Sequence, residues 1–159
     1  MTTQATNFEN VTELNLRFGN VKGDPENIDW KAAGKQSKLI QEELAELLEG
    51  IEDKDQGEIR DAIADILVTT YGMAHVMGVD ADKDMAAVQA SNMSKLCQTQ
   101  AEIDATQDHY KAMGVETYVG GEFPHAYVKS SIDQDDNEGK HYPAHKFLKN
   151  VNWFEPKLT

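Results

Sequence analysis

Only one cysteine, Cys97, occurs in the 159 residues, so no disulfide can close within the chain. One thiol and five scattered histidines also make a poor zinc set, which leaves Cys97 as a buried or idle thiol. No run approaches the ~20 consecutive apolar residues of a membrane span. The opening, MTTQATNFEN, has neither a basic nor an apolar leader segment. The expected location is the cytoplasm, that of a host cell if the chain is virus-encoded. Bases are scarce: 15 Lys and Arg stand against 28 acids, a net charge of −13, and the bases are not clustered. That argues against nucleic-acid polymers and anionic membranes as partners. A polyphosphate stays open as a ligand, provided divalent cations lie between the two sets of negative charge.

Other signatures are missing too. There is no P-loop, dinucleotide fingerprint, nucleophile elbow or internal repeat. The runs starting at Asp53 and Asp133 resemble calcium loops, but their glycines are one place out of register and the twelfth position is alanine in both. His141 and His145 are separated by Pro143, which argues against a shared helical face.

What is present is helical periodicity. Phe8, Val11, Leu14 and Phe18 predict a first helix over 7–18, with Asn7 as its N-cap and Gly19 as its stop. A turn-rich loop follows to Asp29. Ile40, Leu44, Leu47, Leu48 and Ile51 form one stripe of a second helix from Trp30 to Glu52, ended by Gly50 and the polar run behind it. A third helix over 58–77 is apolar on more than one face, which suits a bundle centre or a subunit interface. A fourth runs from Ala81 to Leu96 with Met85, Val88 and Met93 inward. Residues 97–110 suit a further helix, and the remainder a short hairpin or a long ordered loop. The reading is a single all-α domain over 1–159: a four-helix-bundle core at about 7–96, a partly irregular insertion at about 97–139 and a tail at about 140–159.

The acids are concentrated. Between Gln41 and Asp65 ten carboxylates face only Lys54 and Arg60, a local charge of −8. An acidic helix face is commonly just solvated surface. Here geometry adds more. At about 100° per residue, Glu43 flanks the core stripe, whereas Glu42 and Glu49 point away from it. Glu46 lies one turn beyond Glu43 on the same edge, and Asp61 and Asp65 share a face of the third helix. Two antiparallel helices joined by a short loop bring these pairs together. Four uncompensated carboxylates repel one another strongly, and hard divalent cations relieve that repulsion; the all-oxygen donor set favours Mg²⁺ over Zn²⁺, with Mn²⁺ as a substitute.

Four segments then carry a family resemblance: Leu39-Ile-Gln-Glu-Glu-Leu-Ala-Glu46, Asp61-Ala-Ile-Ala-Asp65 leading into Tyr71-Gly72, Ser91-Asn-Met-Ser-Lys-Leu96, and the ending Asn150-Val-Asn-Trp-Phe-Glu-Pro-Lys-Leu158. The chain resembles the MazG-like all-α nucleotide pyrophosphohydrolases, in the branch related to phosphoribosyl-ATP pyrophosphohydrolase. One departure is Ala62, where the wider family often has Glu; Asp61 precedes it here. The resemblance implies that Glu43, Glu46, Asp61 and Asp65 bind Mg²⁺ and that Asn92 and Lys95 contact phosphate oxygens. Lys146 and Lys149 of the tail are candidates for closing over the triphosphate. Glu42 or Glu46 is the expected proton acceptor, and Phe18 and Trp30, with amides of the first helix and its loop, are candidates for holding the base.

The expected reaction is Mg²⁺-assisted hydrolysis of a ribo- or deoxyribonucleoside triphosphate, purines such as dGTP or dATP foremost, to monophosphate and pyrophosphate. Phosphoribosyl-ATP hydrolysis is the rival within enzymes, and a non-catalytic acidic helical interaction protein the rival outside them. A chain this small also predicts a homodimer or homotetramer.

Overall fold

The computed structural model describes residues 4–158; the ends of the 1–159 span and the first three residues of the opening lie outside the described residues. Among the described residues the chain is mostly helical, with five helices and two small antiparallel strand pairs. It divides into two compact units: a first that ends at Asp84 and a second from Met85 to Leu158. The second unit begins inside the fourth helix. Among the described residues no single helix is long and apolar enough to cross a membrane.

In the first unit, α1 spans Asn7–Arg17. Its N-cap is Thr6 rather than Asn7, because the Thr-x-x-Glu spacing closes a capping box. Thr6 Oγ1 accepts the Glu9 N–H (3.1 Å) and the Glu9 carboxylate accepts the Thr6 N–H (2.8 Å). Phe8 and Val11 are buried, and the Phe8 ring lies 6.0 Å from that of Tyr71. Helix α2 spans Trp30–Asp53, capped by the Asp29 carboxylate on the N–H groups of Lys31 and Ala32. Helix α3 spans Gln56–Met77, capped in the same way by Asp55 and closed by Gly78 at φ 75°. Only Lys54, left-handed at φ 57°, and Asp55 separate the two helices, so they fold back as an antiparallel pair.

Two glycines set the register of that pair. Gly50, expected as a helix stop, lies inside α2 instead. It is buried, and a Cβ there would meet the Ile59 N–H and the Glu58 side chain at 3.2–3.3 Å, so its role is close approach. Two turns before Glu43, Gln36 bridges the helices by donating to the Thr69 carbonyl (2.9 Å), and a Cβ on Gly72 would sit 2.6 Å from its amide nitrogen. With Gly50 opposite Ile59 and Gln36 opposite Gly72, Glu43 falls opposite Asp65 and Glu46 opposite Ala62.

The periodicity identified apolar faces correctly but not what covers them. Leu44, Leu48 and Ile51, read as core, are exposed, Leu48 at 59%. Ile63 and Leu67 of α3 are exposed as well. So are Met85 and Met93 of α4 (Ala81–Met93), which were expected to point inward.

The second unit has its own core of Cys97, Ile103, Tyr110, Val115, Ala126, Val128, Tyr142 and Leu148. Helix α5 (Gln100–Ala112) packs there against a hairpin of β1 (Thr117–Gly120) and β2 (Tyr127–Ser130), in which Val119 pairs with Val128. A two-residue pair, β3 (Gln134–Asp135) with β4 (His141–Tyr142), completes it. Both the extra helix and the hairpin are therefore present. Cys97 is fully buried, and burial pushes its thiol up, in keeping with an idle thiol.

Candidate functional site

The register of α2 against α3 assembles the acids. Glu43 is half-buried, and burial first, then the charges of Glu46, Asp65, Glu42 and Asp61 in that order, hold its carboxyl above the ordinary range. All five acids thus share one electrostatic neighbourhood, with Asp61 acting on Glu43 least. Among the described residues the ion pairs are Arg17 with Glu13 and His141 with Asp135, so none of these five carboxylates is neutralised. No three His, Cys, Asp or Glu side chains among the described residues stand close enough to hold one ion as placed. The four predicted ligands are therefore neighbours across a helix pair rather than a closed cage.

The donor set nonetheless fits Mg²⁺. Every donor is a carboxylate oxygen, the local charge is negative and uncompensated, and the strain is registered on Glu43. Ala62, at the place where the wider family often has Glu, is buried in the α2–α3 contact. Asp61, one residue earlier, is exposed at its margin.

A pocket of about 520 Å³ lies in the same unit. Asn15, Asn20, Lys22, Asp29, Lys35 and Gln36 supply its polar lining, with Leu39 and Val76 as apolar walls. Gln36 and Leu39 precede Glu43 on one face of α2, at seven and four residues, so the pocket and the carboxylates lie along one helix edge. The loop forming its wall is pinned to α3: the Gly23 N–H donates to the His75 carbonyl (2.9 Å), and His75 Nε2 lies 3.1 Å from the Asn20 carbonyl oxygen.

Amides of the first helix and its loop thus line a cavity, as Asn15 and Asn20. Phe18 and Trp30 do not line it and are 75% and 72% exposed. Lys22, Lys35 and Gln36 were missed; the seven-residue step from Gln36 to Glu43 was the available signal.

Asn92, Lys95, Lys146 and Lys149 belong to the second unit. Lys95 Nζ donates to Asn92 Oδ1 (2.7 Å), so the structure brings those two together. Lys146 and Lys149 are exposed, and Lys149 Nζ lies 3.3 Å from the Trp153 ring centre.

The family model described as Phosphoribosyl-ATP pyrophosphohydrolase matches residues 11–92. The chain belongs to that family. The family match runs from α1 into the last turn of α4 and contains all four predicted ligands; the stretch from Met93 onward lies outside it. The description of that family is of a pyrophosphohydrolase acting on phosphoribosyl-ATP. An uncharacterized protein of Acanthamoeba polyphaga mimivirus is 32% identical over 89 residues, which is 50% of this chain and 34% of that relative. The chain thus spans about a third of the length of the relative it matches.

Proposed function

We propose that the protein hydrolyses ribo- or deoxyribonucleoside triphosphates to the monophosphate and pyrophosphate, with Mg²⁺, or Mn²⁺ in its place, held by Glu43, Glu46, Asp61 and Asp65. The observation that carries this reading is the uncompensated carboxylate neighbourhood across α2 and α3, marked by the perturbed Glu43. Mg²⁺ bound there would screen the triphosphate from the acids and lower the pKa of an attacking water.

The chain's own groups do the rest. Glu42 or Glu46 accepts the proton of the water that attacks the α-phosphorus, and pyrophosphate leaves. The Asn15, Asn20 and Gln36 amides offer paired donors and acceptors to a base or sugar, while Lys22 and Lys35 offer positive charge. Asn92 and Lys95 are proposed to contact phosphate oxygens, as the family resemblance implies.

The test is a panel of ribo- and deoxyribonucleoside triphosphates with and without Mg²⁺, the products resolved by ion exchange. Monophosphate plus pyrophosphate, lost on adding EDTA, is the expected result, and the panel names the base. Turnover of phosphoribosyl-ATP alone would favour the second reading, which the family's description supports. Turnover of neither would leave a binding module.

A further inference from the structure

A second pocket, of about 330 Å³, lies wholly within the second unit and outside the family match. Tyr110, Met113, Tyr142 and Trp153 form its walls, and Lys140 and Lys149 contribute ammonium groups. In a chain of net charge −13 its lining holds two lysines and His109 and no carboxylate. A cleft lined by charge of one sign draws ligands of the opposite sign, so this lining favours an anion.

The two charges are placed but not cancelled. Lys149 Nζ lies 3.3 Å from the Trp153 ring centre and Lys140 Nζ 5.2 Å from that of Tyr142, contacts that orient an ammonium without neutralising it. Neither lysine forms an ion pair among the described residues. The Tyr142 hydroxyl holds Lys140 above its ordinary range, so it stays protonated. Asp136 weighs least among the groups acting on Lys140. One oxygen of its carboxylate already accepts the N–H groups of Glu138 (3.0 Å) and Lys140 (2.9 Å).

The scaffold behind these groups is rigid. Tyr110 and Tyr142 are buried edge to face at 6.0 Å, and the Tyr110 hydroxyl accepts the Lys149 N–H (3.1 Å), fixing the backbone that carries the second ammonium. The Trp153 indole N–H is buried with no partner among the described residues, an unused donor on the wall.

We propose that this pocket binds a phosphate-bearing small molecule, with the phosphoryl group between Lys140 and Lys149 and any apolar part against Met113 and Trp153. A doubly charged phosphate matches two ammonium groups, and the volume lies at the lower end of small-molecule sites. Both products of a pyrophosphohydrolase carry that group, so the pocket is suited to sensing product. Binding here needs neither the carboxylates nor a metal.

Trp153 and Trp30 are the two tryptophans, so in a Trp30→Phe background the emission reports on this pocket. That protein is titrated in EDTA, at constant ionic strength, with inorganic phosphate, pyrophosphate and adenosine monophosphate in separate arms. The expected result is a saturable change in Trp153 emission, half-complete below about 1 mM in at least one arm. It weakens at least tenfold in Lys140→Ala and is retained in Asp65→Asn. The arm that saturates at the lowest concentration identifies the source of the phosphate. Lys140→Gln, an exposed and near-isosteric change, serves as the second variant if Lys140→Ala does not fold. A non-saturable change, one matched by sodium chloride, one retained without Lys140, or one lost in Asp65→Asn overturns the proposal. Because the assay contains no free metal, failure of the triphosphate reaction and failure of this pocket are separate results.

Discussion

Asp65 is half-buried on the side of α3 that faces Glu43, and its charge is among those that push the Glu43 carboxyl up. Removing that charge relieves repulsion in the metal-free protein, so Asp65→Asn is expected to melt at the same temperature as the parent or higher, by thermal denaturation in EDTA. Glu102 behaves oppositely. The Gln98 N–H (2.6 Å), then the Asn150 and Asn152 amides, hold its carboxyl below the ordinary value of 4.5. A depressed folded-state pKa contributes stability that is present above the unfolded value and is lost as pH falls through the folded one. Glu102→Gln should therefore lower the melting temperature at neutral pH, with the difference closing as pH falls below 4.5. At this scale the sequence was informative where spacing along one helix decides geometry. Glu43, Glu46 and Asp65 could be placed because α2 and α3 are regular. The pocket residues Asn15, Asn20, Lys22 and Lys35 come from three segments whose meeting no local pattern encodes.

The α2–α3 pair is the element that builds the site, and its two close-approach glycines show what a sequence pattern leaves out. Gly50 has the composition of a helix stop, yet α2 continues through it because the absent side chain admits the first turn of α3. Gly23 plays a related part at the other end: a Cβ there would lie 1.9 Å from the Val76 carbonyl oxygen, which backbone alone occupies. Gly23→Ala is expected to cost about 1–3 kcal/mol by denaturant unfolding. It should also raise KM more than it lowers kcat, since Gly23 and Val76 both line the cavity beside the carboxylates. The elements beyond Cys97 were harder to read. Their strands are two to four residues long and pair across loops, so no period accumulates.

For the whole molecule, the exposed apolar stripe is the leading observation. Leu44, Leu48 and Ile51 recur at i, i+4 and i+7 on α2, and Ile63 and Leu67 at i, i+4 on α3, all open to solvent. The stripe has the spacing of a helix-packing face, and a second copy of this chain is the proposed cover. Light scattering should give at least twice the monomer mass of 17.7 kDa, and Leu48→Glu should shift the protein toward that monomer mass. The sequence indicated an oligomer from chain size and from the apolar faces of the third helix. It did not reveal that the α2 stripe is exposed, because periodicity is blind to the origin of the packing partner.

The central claim is that the facing carboxylates of α2 and α3 perform the hydrolysis. Turnover of the preferred triphosphate by the parent and by Asp65→Asn, compared at saturating Mg²⁺ and again in EDTA, tests it most directly. The account predicts monophosphate and pyrophosphate from the parent only with Mg²⁺. It also predicts a loss on the order of 100-fold or more in the variant, at least what loss of a metal site's outer partner costs, with no fall in melting temperature. A variant that keeps the parental rate, or a parent that turns over equally well in EDTA, would contradict it.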